Sequence, residues 1–461
     1  MIRGLLTQFR DPDFRFRVWD EASFTLRLGA PIIAAQILQM SMGFVDTVMA
    51  GRLSANDLAA VAIGSSMLAP LFMLCFGILM GLNPIVAQAF GGRDFRMIGK
   101  NTRQAIWLAL ILSAGCIVLM LNFDLAIAWI GADPEVAEKA MGYTKAMTWG
   151  MPFYLMFIAL RVFNDSIGAT QPGMWIALIG LPFNIIGNWI LVYGKFGAPQ
   201  LGAVGTGYAS AIVGVVMFLA ILIYTIKRKT YARFEIFKNW RWPQWKYQKE
   251  LLWIGVPNGI SSFMEVSMFA TIALMIGSLG TIAMAGHQVA INFGSITFMI
   301  PFGLATAISV RVGVFIGRGQ PDRARFSGYT GIGLSVMIMI MTATVMLVFP
   351  RFIASIYTND PRVIDLAVQL ILMAAIFQIS DGLQVSGYGA LRGLKDTRIP
   401  MIVNIIAYWG VGLPMGYWAG MVKGWGPQGF WIGLIFGLSA AAVMHNVRFK
   451  YLSSKLIQDA S

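Results

Sequence analysis

The chain has 461 residues, of which 57% are hydrophobic and only 12% are charged. A water-soluble domain cannot cover so many apolar residues, so the composition excludes that class and indicates an integral membrane protein. The formal net charge of +14 does not indicate a nucleic-acid partner, because the basic residues gather in connections between the apolar segments.

The chain begins with a predicted amphipathic lead-in, residues 1–27, in which acids and arginines precede any apolar run, unlike a cleaved signal peptide. Twelve apolar segments of membrane-spanning length follow. They lie at roughly 24–50, 58–82, 103–123, 136–162, 173–194, 203–225, 250–278, 283–310, 328–349, 363–390, 399–420 and 426–447. Cys75 and Cys116 fall inside apolar runs, so we expect small buried side chains rather than a disulfide framework or a cysteine metal site.

The basic residues predict the orientation. With the N-terminus in the cytoplasm, all but seven of the 35 Lys and Arg lie on the cytoplasmic side. This asymmetry follows the positive-inside rule, so both termini, including a tail at 448–461, are predicted to be cytoplasmic. The densest basic stretch, "KRKTYARFEIFKNWRWPQWKYQK" at 227–249, lies at the midpoint and predicts a linker over 226–250.

The two halves are copies. A shift of 226 residues places "LGAP" (28–31) on "IGVP" (254–257) and "FMLCFG" (72–77) on "FMIPFG" (298–303). Because each half has an even number of segments, both copies enter the membrane from the same side, which makes a parallel repeat. The sequence therefore predicts an all-α polytopic membrane protein with a six-helix N-lobe at 28–225 and a six-helix C-lobe at 251–447.

Three acidic residues lie inside apolar segments: Asp46 in the first, Glu265 in the seventh and Asp381 in the tenth. A carboxylate at that depth costs roughly 2.5–3.5 kcal/mol on insertion scales, and such residues mark ion or substrate pathways. The repeat places Glu265 on Gln39 and Asp46 on Ile272, so the acidic residues were not duplicated with the scaffold. The two lobes are therefore expected to have different roles.

Glu265 and Asp381 belong to the same lobe, on segments that can face each other. Two such carboxylates can hold a hard cation such as Na⁺ through oxygen ligands. They can alternatively share a proton, because close like charges disfavour double ionisation. The residues alone leave both ions open.

Six motifs in order resemble the NorM-type branch of the multidrug and toxic compound extrusion (MATE) family, nearly from end to end. They are "GFVDTVMAG" (43–51), "FMEVSMFA" (263–270), "AGHQVAINF" (285–293), "FQISDGLQV" (377–385), "GLKDTR" (393–398) and "GPQGFWIG" (426–433). The resemblance implies an antiporter of the bacterial inner membrane that exports cationic, aromatic drugs or toxic metabolites by alternating access. It implies small organic cations and the lipid bilayer as partners, H⁺ or Na⁺ as coupling ion, a monomer, and no cofactor, enzymatic activity or nucleic acid.

The resemblance also implies residue roles. Glu265 and Asp381 match the C-lobe cation-coupling carboxylates, which would also be the metal ligands if the ion is Na⁺, and Asp46 matches the N-lobe acid. Polar N-lobe positions near Asp46 are matched by Asn184, Asn188 and Thr206. Positions near bound substrate are matched by Gln288 and Asp360, and Phe377 is predicted as a third substrate contact.

One position departs from the pattern. Four residues before Asp381, where Na⁺-coupled relatives carry a tyrosine, this chain has Phe377. An aromatic face can still approach a cation, but the ligating hydroxyl is missing, which favours H⁺ over Na⁺. His287, near the start of the eighth segment, could relay a proton or pack between helices.

Three other functions fit these residues less well. A lipid-linked precursor flippase of the same superfamily should carry buried Arg or Lys for pyrophosphate, whereas the deep ionisable residues here are acidic. An intramembrane acid enzyme lacks the glycine-flanked motifs of aspartyl enzymes and any HExxH or CxxC sequence. A channel has no need for lobes that differ in their acidic residues.

Overall fold

A computed structural model describes residues 12–124, 133–238 and 240–459. Within these ranges, twelve helices are long and apolar enough to cross a membrane, as predicted. They are α1 (Pro12–Leu53), α2 (Ala55–Gly91), α3 (Phe95–Leu121), α4 (Pro134–Ser166), α5 (Gln171–Tyr193), α6 (Ala203–Lys227), α7 (Trp245–Gly277), α8 (Thr281–Gly317), α9 (Pro321–Val348), α10 (Pro361–Gly393), α11 (Arg398–Val422) and α12 (Pro427–Gln458).

Several helices extend beyond the apolar segments that predicted them. The described part of the lead-in is continuous with α1, and α7 begins at Trp245, inside the predicted linker; residues 1–11, 125–132, 239, 460 and 461 lie outside the described residues. A hydropathy window finds the apolar stretch that a bilayer requires, whereas a helix continues as long as its backbone hydrogen bonds do.

Two helices depart from regular α geometry. A turn at residues 80–81 divides α2 into Ala55–Leu79 and Leu82–Gly91. In α11, π-helical stretches at Ile406–Gly412 and Trp418–Val422 alternate with α-helical turns. Such widened turns change the direction in which side chains project and are frequent at functional sites.

The helices form two compact units. One comprises Ala34–Phe263, and the other comprises the described residues up to Ile33 together with those from Met264 onward. These boundaries differ from those of the predicted lobes, which remain a prediction, since the first part of α7 falls in the Ala34–Phe263 unit.

Close glycine contacts explain the position of these boundaries. In the Ala34–Phe263 unit, a Cβ on Gly77 of α2 would lie 2.6 Å from the Cα of Gly259 on α7. In the other unit, a Cβ on Gly303 of α8 would lie 3.0 Å from the backbone nitrogen of Ile33 on α1. Without side chains in the way, the backbones pack directly against each other, and van der Waals contact of this kind drives helix association in membranes.

The two cysteines are buried, as expected, but they also meet each other. Cys75 of α2 and Cys116 of α3 are free thiols whose Sγ atoms lie 3.2 Å apart. The apolar runs around them gave no indication of this pairing, because it depends on how α2 packs against α3.

Candidate functional site

Asp46 on α1 accepts three hydrogen bonds inside the Ala34–Phe263 unit. The amides of Asn184 and Asn188, one turn apart on α5, donate to its Oδ1 at 2.9 and 2.6 Å. The hydroxyl of Ser210 on α6 donates to its Oδ2 at 2.7 Å. The carboxyl group is buried, which disfavours its ionised form, and the three donors offset part of that cost.

Thr206, predicted at this site, does not donate to Asp46. Its hydroxyl donates to the carbonyl of Ala203 within α6, at 2.7 Å. Ser210 lies four residues later on the same helix face and supplies the hydroxyl at Asp46 instead. The signal that could have found Ser210 is this four-residue spacing.

The two asparagines leave oxygen atoms unused. The Oδ1 atoms of Asn184 and Asn188 are buried and have no hydrogen-bond partner. Because each amide already donates to Asp46, its oxygen is available to accept a hydrogen bond or to ligate a cation. The cluster therefore combines a hydrogen-bonded carboxyl group with two acceptors.

The second cluster lies in the other unit, around Glu265 on α7 and Asp381 on α10. The two carboxyl groups interact electrostatically with each other. Glu265 is half-buried, whereas Asp381 is buried and its Oδ1 has no hydrogen-bond partner. The structure thus brings the predicted pair together with at least one oxygen atom available to a ligand.

Ring contacts hold the two helices in register. Phe269, one turn after Glu265, and Phe377, one turn before Asp381, meet edge to face with centroids 6.1 Å apart. A second tie runs from α10 to α8, where the Gln378 amide donates to the Gly294 carbonyl at 3.2 Å and to the Thr297 hydroxyl. These contacts place the acidic residues of α7 and α10 opposite each other.

Tyr408 is a member of this cluster that the sequence did not reveal. Its side chain is fully buried, its hydroxyl has no hydrogen-bond partner, and it interacts electrostatically with both Glu265 and Asp381. The next residue, Trp409, donates its indole N–H to the carbonyl of Met264 at 3.1 Å, which fastens this part of α11 beside Glu265. Tyr408 thus lies within electrostatic range of the carboxyl pair and carries the phenol hydroxyl that Phe377 lacks.

Phe377 packs as an aromatic residue rather than lining an open surface. It is buried, and its ring meets Trp431 edge to face at 5.8 Å. His287 packs against the same indole at 5.9 Å and is also buried. The packing role considered for His287 therefore has direct contacts in its support.

Two of the three predicted substrate positions, Gln288 and Asp360, lie apart from these hydrogen-bond networks. Gln288 on α8 has an exposed side chain. Asp360 caps the N-terminus of α10 by accepting from the Arg362 backbone N–H at 3.0 Å, and hydrogen bonds from Arg362 hold the pKa of its carboxyl below the usual range. No hydrogen bond among the described residues joins either side chain to Glu265 or Asp381.

Among the described residues, no basic side chain forms an ion pair with any of the three membrane carboxyl groups, those of Asp46, Glu265 and Asp381. The same part of the chain contains no group of three or more His, Cys, Asp or Glu arranged to hold a metal ion. A cation at Glu265 and Asp381 would therefore need further oxygen ligands from hydroxyl, amide or backbone groups.

The family follows from comparison with known sequences. The MatE family model matches residues 31–190 and 257–418, once in each half of the chain. The chain belongs to the MatE family. Two matches in tandem also agree with the internal repeat.

Curated relatives of this MatE protein are similar over nearly their whole length. The multidrug resistance protein MdtK of Yersinia enterocolitica is 42% identical over 440 residues, which cover 94% of this chain and 96% of the relative. MdtK of Yersinia pseudotuberculosis is 41% identical over the same coverage.

Solved structures confirm the fold. The eukaryotic MATE transporter AtDTX14 superposes with a TM-score of 0.88 at 20% identity, covering 96% of this chain and all of that one. An outward-facing multidrug resistance MATE transporter of the MOP superfamily gives 0.86 at 21% identity, covering 95% of this chain and 97% of its own. The predicted all-α, twelve-helix architecture is therefore confirmed.

Proposed function

We propose that this MatE protein is a secondary active antiporter of the bacterial inner membrane that exports cationic, aromatic drugs or toxic metabolites in exchange for H⁺ or Na⁺. The similarity to proteins named for multidrug resistance supports this export function. The observation that carries the cation specificity is the pair Glu265 and Asp381, two interacting carboxyl groups with no basic partner among the described residues.

The carboxyl pair suits exchange because one limited supply of negative charge has to serve two kinds of cation. An organic cation and the coupling ion are both attracted to it, and occupation by one lowers the attraction for the other. Carboxylate and phenol oxygens are hard ligands that fit Na⁺, and the same oxygens can hold a shared proton. Tyr408 contributes the phenol in this proposal.

Asp46 has a different role in this proposal. Its carboxyl group already has three donors, so it gains less from a bare cation than a carboxyl group without donors does. A proton reaching Asp46 would instead disturb the bonds from Asn184, Asn188 and Ser210. We therefore assign to Asp46 the control of helix packing around α1, α5 and α6.

An anionic cargo, as in a flippase, is not favoured. Two arginines are buried near the ends of α4 and α10, and both already have partners. Arg161 pairs with Asp165 at 3.6 Å and donates to Gln39 at 3.1 Å. Arg392 donates to Ser309 and Thr306 at 3.4 and 3.5 Å, so both arginines already use part of their donor capacity within the protein.

The decisive experiment measures efflux of a fluorescent organic cation in proteoliposomes with one imposed gradient at a time, of pH or of Na⁺. Wild-type protein should respond to one of the two gradients. Glu265→Gln and Asp381→Asn should each abolish driven efflux and keep the helical circular-dichroism spectrum.

A matched control is available on the same helix. Asp365 of α10 is exposed and pairs with the exposed Arg351 at 3.3 Å, so Asp365→Asn should retain wild-type efflux. Wild-type efflux in either carboxyl variant, or equal loss in Asp365→Asn, would refute the assignment.

The same proposal places both termini in the cytoplasm and the chain in the membrane as a monomer. The distribution of Lys and Arg supports this orientation. Labelling of cysteines introduced at either terminus by a membrane-impermeant reagent, applied to right-side-out vesicles, tests it, since labelling without permeabilisation would contradict it.

A further inference from the structure

The connection between α6 and α7 is an ordered part of the protein rather than a loose linker. We call residues 227–249 the strap; residue 239 lies outside the described residues. It begins at the last residue of α6, continues into a 3₁₀ helix, Lys229–Phe234, and ends near the start of α7. The strap and the helices that hold it all belong to the Ala34–Phe263 unit.

Side chains of α3 donate hydrogen bonds to the backbone of the strap. The Arg103 guanidinium donates to the carbonyls of Glu235, Ile236 and Lys238 at 2.6, 3.1 and 2.7 Å. The indole of Trp107 donates to the Arg241 carbonyl at 3.1 Å. Because these bonds use backbone atoms, the strap's own side chains remain free to point elsewhere.

Aromatic packing fixes the beginning of the strap. The rings of Tyr231 and Phe234 both meet Phe163 of α4 edge to face, at 5.5 and 5.7 Å. The Tyr231 hydroxyl donates to Asn164 at 2.7 Å, and burial raises its pKa to about 12, so it remains a donor at neutral pH. A Cβ on Gly99 of α3 would lie only 1.8 Å from the Phe234 carbonyl oxygen, which shows how closely the strap is seated.

The outward side of the strap is strongly basic. It contains eight Lys or Arg against one acid, Glu235, and all eight basic side chains are exposed. Glu235 pairs with Lys238 at 3.2 Å, leaving a large excess of positive charge. The Arg228 guanidinium lies 5.2 Å from the centre of the Tyr231 ring, and Arg233 lies 4.6 Å from that of Phe95.

Tryptophans of the strap are exposed as well. Trp242 is 79% exposed although its ring stacks on Trp107, and Trp245 is 72% exposed. Trp240 is also exposed. Indole rings without cover next to basic side chains are typical of the interface between a bilayer and water, where the ring enters the headgroup layer.

We infer that the strap is a binding site for anionic phospholipid headgroups. It joins the ends of two membrane-length helices, so it lies at the membrane boundary. Its basic groups complement a lipid phosphate, and guanidinium groups held over aromatic rings keep N–H edges available for phosphate oxygens. The exposed tryptophans distinguish a lipid from a free phosphate ion, because only a lipid offers a glycerol and acyl region for the rings.

The contacts of the strap with α3 and α4 pre-form this site. Arg103 and the Phe163 contacts order the strap before any lipid arrives, so binding does not have to pay the entropy of ordering a loop. The inference concerns the lipid environment and is independent of which ion or drug is transported.

The test compares lipid retention by the full-length protein in detergent, measured by native mass spectrometry after addition of phosphatidylglycerol or phosphatidylcholine. A triple variant, Arg241→Gln, Lys246→Gln and Lys249→Gln, removes three strap charges. The matched control, Arg318→Gln, Arg323→Gln and Lys455→Gln, removes three exposed charges elsewhere. A further variant, Trp245→Ala, tests the aromatic contribution.

Wild-type protein should retain phosphatidylglycerol over phosphatidylcholine. The strap variant should lose affinity for phosphatidylglycerol by roughly tenfold or more, since each base near an anionic surface changes binding by about fivefold. The control triple variant should stay within about threefold, because it leaves all eight basic side chains of the strap in place. Trp245→Ala should weaken the retention of phosphatidylglycerol. Inorganic phosphate should not displace the bound lipid.

Three outcomes would overturn the inference. They are equal retention of both lipids by wild-type protein, equal losses in the strap and control variants, and displacement of bound phosphatidylglycerol by millimolar inorganic phosphate. The last result would identify a site for free phosphate rather than for lipid.

Discussion

The seating of the strap on α3 gives a sharp stability prediction for Gly99→Ala. The added Cβ would lie 1.8 Å from the Phe234 carbonyl oxygen, and real Cβ contacts stay above 3.0 Å, so the strap backbone must move by about 1.2 Å. Phe234 is buried against Phe163, and Arg103 bonds the next carbonyls at 2.6 and 3.1 Å. The strap backbone therefore cannot move without breaking these contacts.

The cost follows from the contacts that must change. Overpacking costs about 1–3 kcal/mol, and a weakened hydrogen bond to a charged group costs about 1.5–3 kcal/mol. Alanine recovers about 1 kcal/mol of helix propensity, which leaves a net destabilisation of about 1.5–5 kcal/mol. Thermal unfolding in detergent should show a fall of several degrees, and trypsin should cut the basic strap faster.

The control for this prediction lies on the same helix. A Cβ on Gly115 would meet nothing within 4 Å, so Gly115→Ala should be neutral or slightly stabilising. If Gly99→Ala unfolds at or above the wild-type temperature with unchanged trypsin resistance, the close seating of the strap is refuted.

Three further predictions concern the carboxyl clusters. Ser210→Ala removes the 2.7 Å hydrogen bond to Asp46 and should slow driven efflux about tenfold or more. Thr206→Val loses only a hydrogen bond within α6, so its efflux rate should stay within about twofold of wild type. Equal efflux rates in the two variants would contradict this prediction. Tyr408→Phe removes a buried hydroxyl without a partner, so the unfolding temperature should hold or rise while efflux falls, and unchanged efflux would exclude the hydroxyl from the site. Asp46→Asn should abolish efflux. Adding Ile272→Asp should not restore it, because Ile272 is fully buried in an apolar cluster. Recovery of efflux in this double variant would show that the lobes are interchangeable.

The sequence predicted the twelve helices because a bilayer demands a long apolar segment for every crossing. It did not predict where the helices end. Polar residues at either end of α1 or α7 carry no membrane signal, although the helical backbone continues through them. The crossing of α7 into the Ala34–Phe263 unit depends on glycine contacts such as Gly77 with Gly259, and spacing along the chain does not encode a partner.

The candidate site likewise contains residues that the sequence predicted and residues that it did not. Asp46, Glu265 and Asp381 were predictable because a charge in an apolar segment is costly and conspicuous. Ser210 and Tyr408 were not, because hydroxyl groups are common in membrane helices and cost little. Only the packing of α6 against α1, and of α11 beside α7, shows which hydroxyl faces a carboxyl group.

The difference between the two clusters leads to a prediction about binding. An antiporter must not hold drug and coupling ion stably together, or one cycle would carry both in the same direction. Glu265 and Asp381 can enforce this exclusion if both ligands need the same charge, and by linkage each ligand must then weaken the other by the same factor. A coupling of about 1–3 kcal/mol corresponds to a change of about 5- to 150-fold in the dissociation constant.

Equilibrium binding of a fluorescent organic cation to purified protein measures that factor directly. Titration with Na⁺ at fixed pH, or with acid at fixed Na⁺, should weaken drug binding for the ion that drives efflux, and Asp381→Asn should reduce the effect of that ion. The matched variant Asp365→Asn keeps both carboxyl groups of the pair and should show the full wild-type coupling. Drug affinity that is indifferent to both ions in the wild-type protein would mean that Glu265 and Asp381 do not couple the two ligands, because a shared charge cannot be occupied by one cation without cost to the other.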